Sequence, residues 1–351
     1  MSLLELTDKL IQWVSEMART QGYSPEWAGF FTAIAIMLAV GGFVLGFISV
    51  VAMLLIWMER KVSGHMQSRI GPNRVGPFGL FQSIADAVKL LLKEDIAPKM
   101  VDKPVWWLAP IIIVVPAVLS FLCFPFHKGW IPLDLNLGLL FIMAIGSVSV
   151  IAIFMAGYGS NNKYSLIGGM RTVAQIISYE VPAILAIVPV VMLAGSLSFG
   201  QIIEAQSFRW NLFSLWGIVS FIIYVISGTA EINRTPFDIP EAESELVAGY
   251  HTEYSGMKFA LFFVAEYTNM VIVSMIASAV FLGGYYLPFG LGASPVWMLL
   301  KVFAMIFLLM WFRWTFPRLR VDQMMIFGWK VLLPISFANI AWVGIWMALK
   351  L

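Results

Sequence analysis

The stretch AEINRTPFDIPEAESELVAGYHTEY, residues 230–254, joins two apolar runs that are each long enough to cross a bilayer. It carries Glu231, Asp238, Glu241, Glu243, Glu245 and Glu253, six of the chain's 20 acidic residues, with Arg234 as the one fixed cation among them. The stretch is too polar for lipid, and the runs beside it are too apolar for water. That contrast implies membrane-spanning helices joined by polar connections. It also asks why an oily chain gathers so much negative charge in one connection.

Composition supports the same class. The chain has 351 residues, of which 60% are hydrophobic and 12% charged, against about a quarter charged in a soluble domain. Residues 1–26 include Glu5, Asp8, Glu16 and Glu26 and lack a basic start and a small-residue cleavage site, so no secretory signal is expected. One cysteine, Cys123, excludes a disulfide and a cysteine-ligated cluster or zinc site. His65, His127 and His251 have no spacing that suits a haem. No redox centre, metal or bound cofactor is expected in this chain.

Apolar stretches near 28–57, 105–126, 137–157, 173–196, 212–230, 257–282, 297–316 and 328–349 predict eight transmembrane helices in an all-α integral membrane protein. Residues 1–26 form an N-terminal amphipathic segment, and 27–351 a single membrane domain. The connections 58–104, 158–172, 231–256 and 317–327, with the helix ends that flank them, hold 16 of the 22 lysines and arginines. The positive-inside rule puts them in the cytoplasm and both termini outside. Two segments read as amphipathic surface helices. Residues 3–18 align Leu3, Leu6, Leu10, Ile11, Val14 and Met17, and residues 79–95 align Leu80, Phe81, Ile84, Val88, Leu91 and Leu92. The second suits the membrane plane, the underside of a soluble partner, or both.

Glu180 and Glu266 fall about two turns inside their helices and Glu231 at the end of another. A charge at mid-bilayer costs about 2.5–3.5 kcal/mol, so such residues mark ion or proton paths. A structural ion pair is the plainer alternative, Glu180 with Arg171 and Glu266 with Lys258. The three acids lie at similar depth without a nearby basic residue for each, which favours the path.

The segments ERKVSGHMQSRIGPNRVGPFGLFQSIADAVKLLLKE, SNNKYSLIGGMRTVAQIISYE, AEINRTPFDIPEAESELVAGYHTEYSGMKFALFFVAEY and PRLRVDQMMIFGWK resemble the quinone-site membrane subunit of respiratory complex I, lettered H in bacteria and numbered one in mitochondrial genomes. The resemblance covers about residues 28 to 349, with Ile232 standing where many relatives carry threonine. It implies an eight-helix subunit of a proton-translocating NADH–quinone oxidoreductase that is inactive alone. Two peripheral subunits dock on its cytoplasmic loops and complete a quinone chamber. Flavin and clusters sit in partner subunits, and ubiquinone or menaquinone is the substrate. Small membrane subunits carry a chain of carboxyls onward, and the setting is a bacterial inner membrane.

By the same resemblance, Glu59, Arg60, Arg69, Phe237, Asp238 and Arg313 surround the chamber. Glu180, Glu231, Glu241, Glu243, Glu245 and Glu266 belong to the proton-coupling path, and no residue here is catalytic by itself. The acidic stretch would then deliver protons, or respond to charge, as quinone is reduced. The homologous membrane subunit of a hydrogenase or formate hydrogenlyase shares these features. A self-contained transporter would show inverted repeats, which the sequence lacks, and a pure anchor leaves Glu180 and Glu266 unexplained.

Overall fold

The computed structural model describes residues 25–239, 247–290 and 292–350, together with Asp8, Lys9, Ile11, Gln12, Val14 and Arg19. Most of the N-terminal amphipathic segment, and Glu241, Glu243 and Glu245, therefore lie outside the described residues. Among the described residues the architecture is helical and holds no β-strand. In chain order the helices are α1 (Pro25–Met66), α2 (Gln82–Leu92), α3 (Lys103–Phe121), α4 (Gly138–Gly146), α5 (Val148–Gly159), α6 (Lys163–Ala194), α7 (Phe199–Ala205), α8 (Leu215–Glu231), α9 (Gly256–Phe281), α10 (Pro295–Thr315), α11 (Val321–Phe327) and α12 (Leu333–Lys350). Among the described residues, seven helical stretches are long and apolar enough to cross a membrane, counting α4–α5 and α11–α12 as one each. The 17-residue α8 is a shorter apolar helix.

Several elements run past the limits that hydropathy suggests. Hydropathy falls at Glu59, but α1 continues to Met66 because Ile48, Ala52, Leu55, Glu59 and Ser63 share one buried face. The expected 158–172 connection shrinks to a tight turn. Asn162 caps α6 by accepting from the Tyr164 N–H at 2.9 Å, and Asn161 takes the left-handed backbone with φ 48°. The expected helix at 137–157 is broken at Ser147, and a π-helical turn, Gly328–Leu332, joins α11 to α12. Ile84, Val88, Leu91 and Leu92 of α2, with Phe81 at its N-cap, are exposed as the amphipathic pattern expects.

Helix α6 lies at the centre, against α5, α8 and α12. Gly169 allows the close approach of α5, since a Cβ there would stand 3.3 Å from the Gly157 Cα, and Gly168 admits the turn at Gly249, where a Cβ would stand 2.8 Å from the Gly249 Cα. The four polar connections meet at one end of the bundle. Lys258 pairs with Asp95 at 2.7 Å, Asn162 donates to Glu253 at 2.6 Å, Asn161 donates to the Met100 carbonyl at 2.9 Å, and the Leu319 N–H donates to the Pro236 carbonyl at 3.0 Å. These links fix the frame in which the buried charges lie.

Candidate functional site

The buried charges begin with Glu59 on α1, whose side chain is 7% exposed. Arg234, in the turn after α8, donates through Nη1 to both Glu59 oxygens at 2.9 and 3.2 Å, and its Nε lies 3.1 Å from Glu266 Oε1 on α9. Tyr267, next to Glu266, donates its hydroxyl to Glu59 at 2.8 Å and lies under the Arg234 guanidinium at 4.7 Å. Arg313 near the end of α10 closes the group on Glu59. Two carboxylates and two guanidiniums thus neutralise one another. Burial opposes the charge on Arg234, and the Glu266 and Glu59 carboxylates outweigh it, so the guanidinium is held more firmly protonated than in water.

One helical turn before Arg234 lies a second group. Glu231 ends α8 close enough to Glu180 for their charges to interact. Ser147, at the break between α4 and α5, donates its hydroxyl to Glu180. Glu231, Ser120, Ser149, Tyr224 and Asn269 line a cavity of about 30 Å³, which is enough for a water molecule. Asn269 is three residues past Glu266 on the same face of α9, so the cavity lies one turn from the first group.

The turn between the groups is positioned by a residue that sequence reasoning overlooked. Gln175, fully buried on α6, donates to the Ala230 carbonyl at 2.7 Å, the Phe237 carbonyl at 2.8 Å and the Asn233 side chain at 3.2 Å. Its only signal in the sequence is a polar side chain in a membrane-length run, one turn and a half before Glu180. Tyr179, one turn on along the same face of α6, also supports the turn, donating to the Met324 carbonyl at 2.9 Å and packing 5.0 Å from the Phe237 ring.

The expected chamber residues therefore divide. Glu59 and Arg313 enter the buried cluster, and Phe237 lies in the core against Tyr179. Asp238 pairs with Arg318 at 3.1 Å. Arg60 points away from Glu59, pairs with Asp86 at 2.6 Å, and shares a cleft of about 810 Å³ with Arg69, Arg74, Asn73 and Gln82. The pairing of Glu266 with Lys258 is replaced: Lys258 serves Asp95 and covers the Trp106 and Trp107 rings, and Arg234 serves Glu266. Among the described residues, no group of three or more histidine, cysteine or acidic side chains is arranged to hold a metal ion.

A family model described as NADH dehydrogenase matches residues 38–344, which takes in both groups of charges. The chain belongs to this family. It is 53% identical to the NADH-quinone oxidoreductase subunit lettered H of Dehalococcoides mccartyi (strain CBDB1) over 84% of its own length and 82% of the relative's. The corresponding figures are 48%, 95% and 95% for the subunit of the same name from Carboxydothermus hydrogenoformans, and 46%, 93% and 94% for that from Bacteroides thetaiotaomicron. These relatives are named as subunits of an oxidoreductase complex, in keeping with a family member that works as part of an assembly.

Proposed function

We propose that this chain forms the membrane wall of the quinone site in a proton-translocating NADH–quinone oxidoreductase and couples quinone reduction to proton movement. The observation that carries the reading is the balanced cluster of Glu59, Arg234, Glu266 and Arg313, set one turn from the Glu231–Glu180 pair. Reducing a quinone to a quinol takes two electrons and two protons. The electrons come from flavin and clusters in partner subunits, and the substrate is ubiquinone or menaquinone. Negative charge at a quinone head group near the cluster shifts Arg234 between its two carboxylates. A shift towards Glu59 frees Glu266 to take a proton, and Asn269 and the small cavity lead on to Glu231 and Glu180.

In this reading α8 is the eighth span. Seventeen residues at about 1.5 Å each give about 26 Å, near the lower limit for a bilayer core. The polar connections face the cytoplasm of a bacterial inner membrane, where the arginine-lined cleft meets the peripheral subunits. Both termini lie outside, and the bare apolar side of α2 rests in the membrane surface. Asp238, Glu241, Glu243 and Glu245 continue the acid path towards the head group. In the intact complex, Glu241→Gln and Glu243→Gln should each depress NADH–quinone turnover by about tenfold or more. Unchanged turnover and pumping in both would remove the acidic connection from the mechanism.

A further inference from the structure

At the other end of the bundle, Lys301 lies in the second turn of α10. Its Nζ donates to three main-chain carbonyls, Leu282 at 2.6 Å, Gly284 at 2.8 Å and Tyr286 at 2.6 Å, and stands 4.3 Å from the centre of the Trp210 ring. Three acceptors satisfy all three N–H bonds of an ammonium, and the ring face adds a fourth favourable side. The oxygens come from alternate residues of one turn, in which Gly283 and Gly284 have φ 69° and 53°. That backbone suits glycine and lets alternate carbonyls converge on one point.

The turn is held from outside. Gln206 accepts from the Gly283 N–H at 3.2 Å and donates to the Ala279 carbonyl at 3.0 Å, the Gly284 N–H donates to the Ser278 carbonyl at 2.8 Å, and the Trp210 indole donates to the Tyr286 carbonyl at 3.2 Å. The carbonyls are therefore fixed by contacts that do not involve Lys301.

The geometry points to a monovalent-cation site built from main-chain carbonyls, whose resident ion is the chain's own tethered ammonium. Converging carbonyls replace the water shell of a potassium-sized ion, and ammonium has nearly the same size and oxygen distances. Lithium needs closer ligands, and choline is too large. The tethered ion spans the C-terminal end of α9, where partial negative charge collects, and the second turn of α10. It locks these helices at the ends opposite Glu266 and Arg313. Lys301 is thus a positioning residue, and removing its side chain leaves a site for free ammonium or potassium.

The test uses the intact, purified complex carrying Lys301→Ala, with Lys301→Met as a second variant that loses the charge and still fills the space. Thermal unfolding is followed in ammonium, potassium, lithium and choline chlorides at equal ionic strength. Lys301→Ala should unfold at a lower temperature than wild type and recover at least half of the loss, saturably, in ammonium or potassium but not in lithium or choline. Wild type and Lys301→Met should not distinguish the cations. Equal responses in all three proteins, or equal effects of all four cations on Lys301→Ala, would overturn the proposal. Should Lys301→Ala fail to accumulate, yield from membranes solubilised in each salt becomes the readout. A higher yield in potassium or ammonium than in lithium supports the site, and equal absence in all salts overturns it.

Discussion

His251 is 5% exposed and packs among Tyr250, Phe259, Phe262 and Phe263, and neither ring nitrogen has a hydrogen-bond partner. Burial pushes its pKa down from the usual 6.5 to about 4. The unfolded chain takes up this proton near pH 6.5 and the folded one only near pH 4, so stability from this site is full above pH 6.5 and falls as pH drops through that window. The loss amounts to about 3 kcal/mol at about 1.4 kcal/mol per unit. His251→Phe should flatten the decline in thermal stability of the complex between pH 6.5 and 4, and an unchanged decline would contradict this account. Arg234 presents the opposite case, a buried charge kept by its partners. Arg234→Met removes the cation shared by Glu59 and Glu266 and should cost about 3–5 kcal/mol. Adding Glu266→Leu should restore much of that stability and none of the turnover, a separation that unfolding and NADH–quinone assays read independently.

Among the elements, the turn from Ala230 to Phe237 depends most on a single neighbour. Gln175→Leu removes the side-chain donor to the Ala230 and Phe237 carbonyls, which keep their bonds from the Asn233 and Ile239 N–H groups, so each lost bond costs about 0.5–1.5 kcal/mol. The variant should weaken the complex and slow turnover with Arg234 intact, and wild-type values on both counts would show that the turn holds itself. Helices were legible in the sequence wherever apolar runs are long, and their limits were not. The end of α1 and the start of α6 carry Glu59 and Arg171, which hydropathy counts as polar connection. Yet the helix continues, because those ends pack on other connections instead of meeting water. The π-helical turn at Gly328–Leu332 and the break at Ser147 have no pattern in the sequence, since both answer to neighbours across the bundle, among them Trp329 donating to Ser178 at 3.1 Å and Ser147 donating to Glu180.

For the whole molecule, the four polar connections that carry most of the lysine and arginine touch one another at one end of the bundle. Glu180, Glu231 and Glu266 were readable as acids in apolar helices. Which base each would meet was not, because Arg234 reaches Glu59 across 175 positions and Arg313 reaches it across 254. Such pairings depend on how helices are placed, and one sequence carries no local trace of them. The arrangement that results sets a self-neutralised charge cluster beside a second, less compensated pair of carboxyls. The most direct test is to measure quinone reduction and proton translocation together in the intact complex carrying Glu231→Gln. The account predicts that both fall in parallel, by about tenfold or more, in a complex that still assembles; both rates at wild-type level would contradict it.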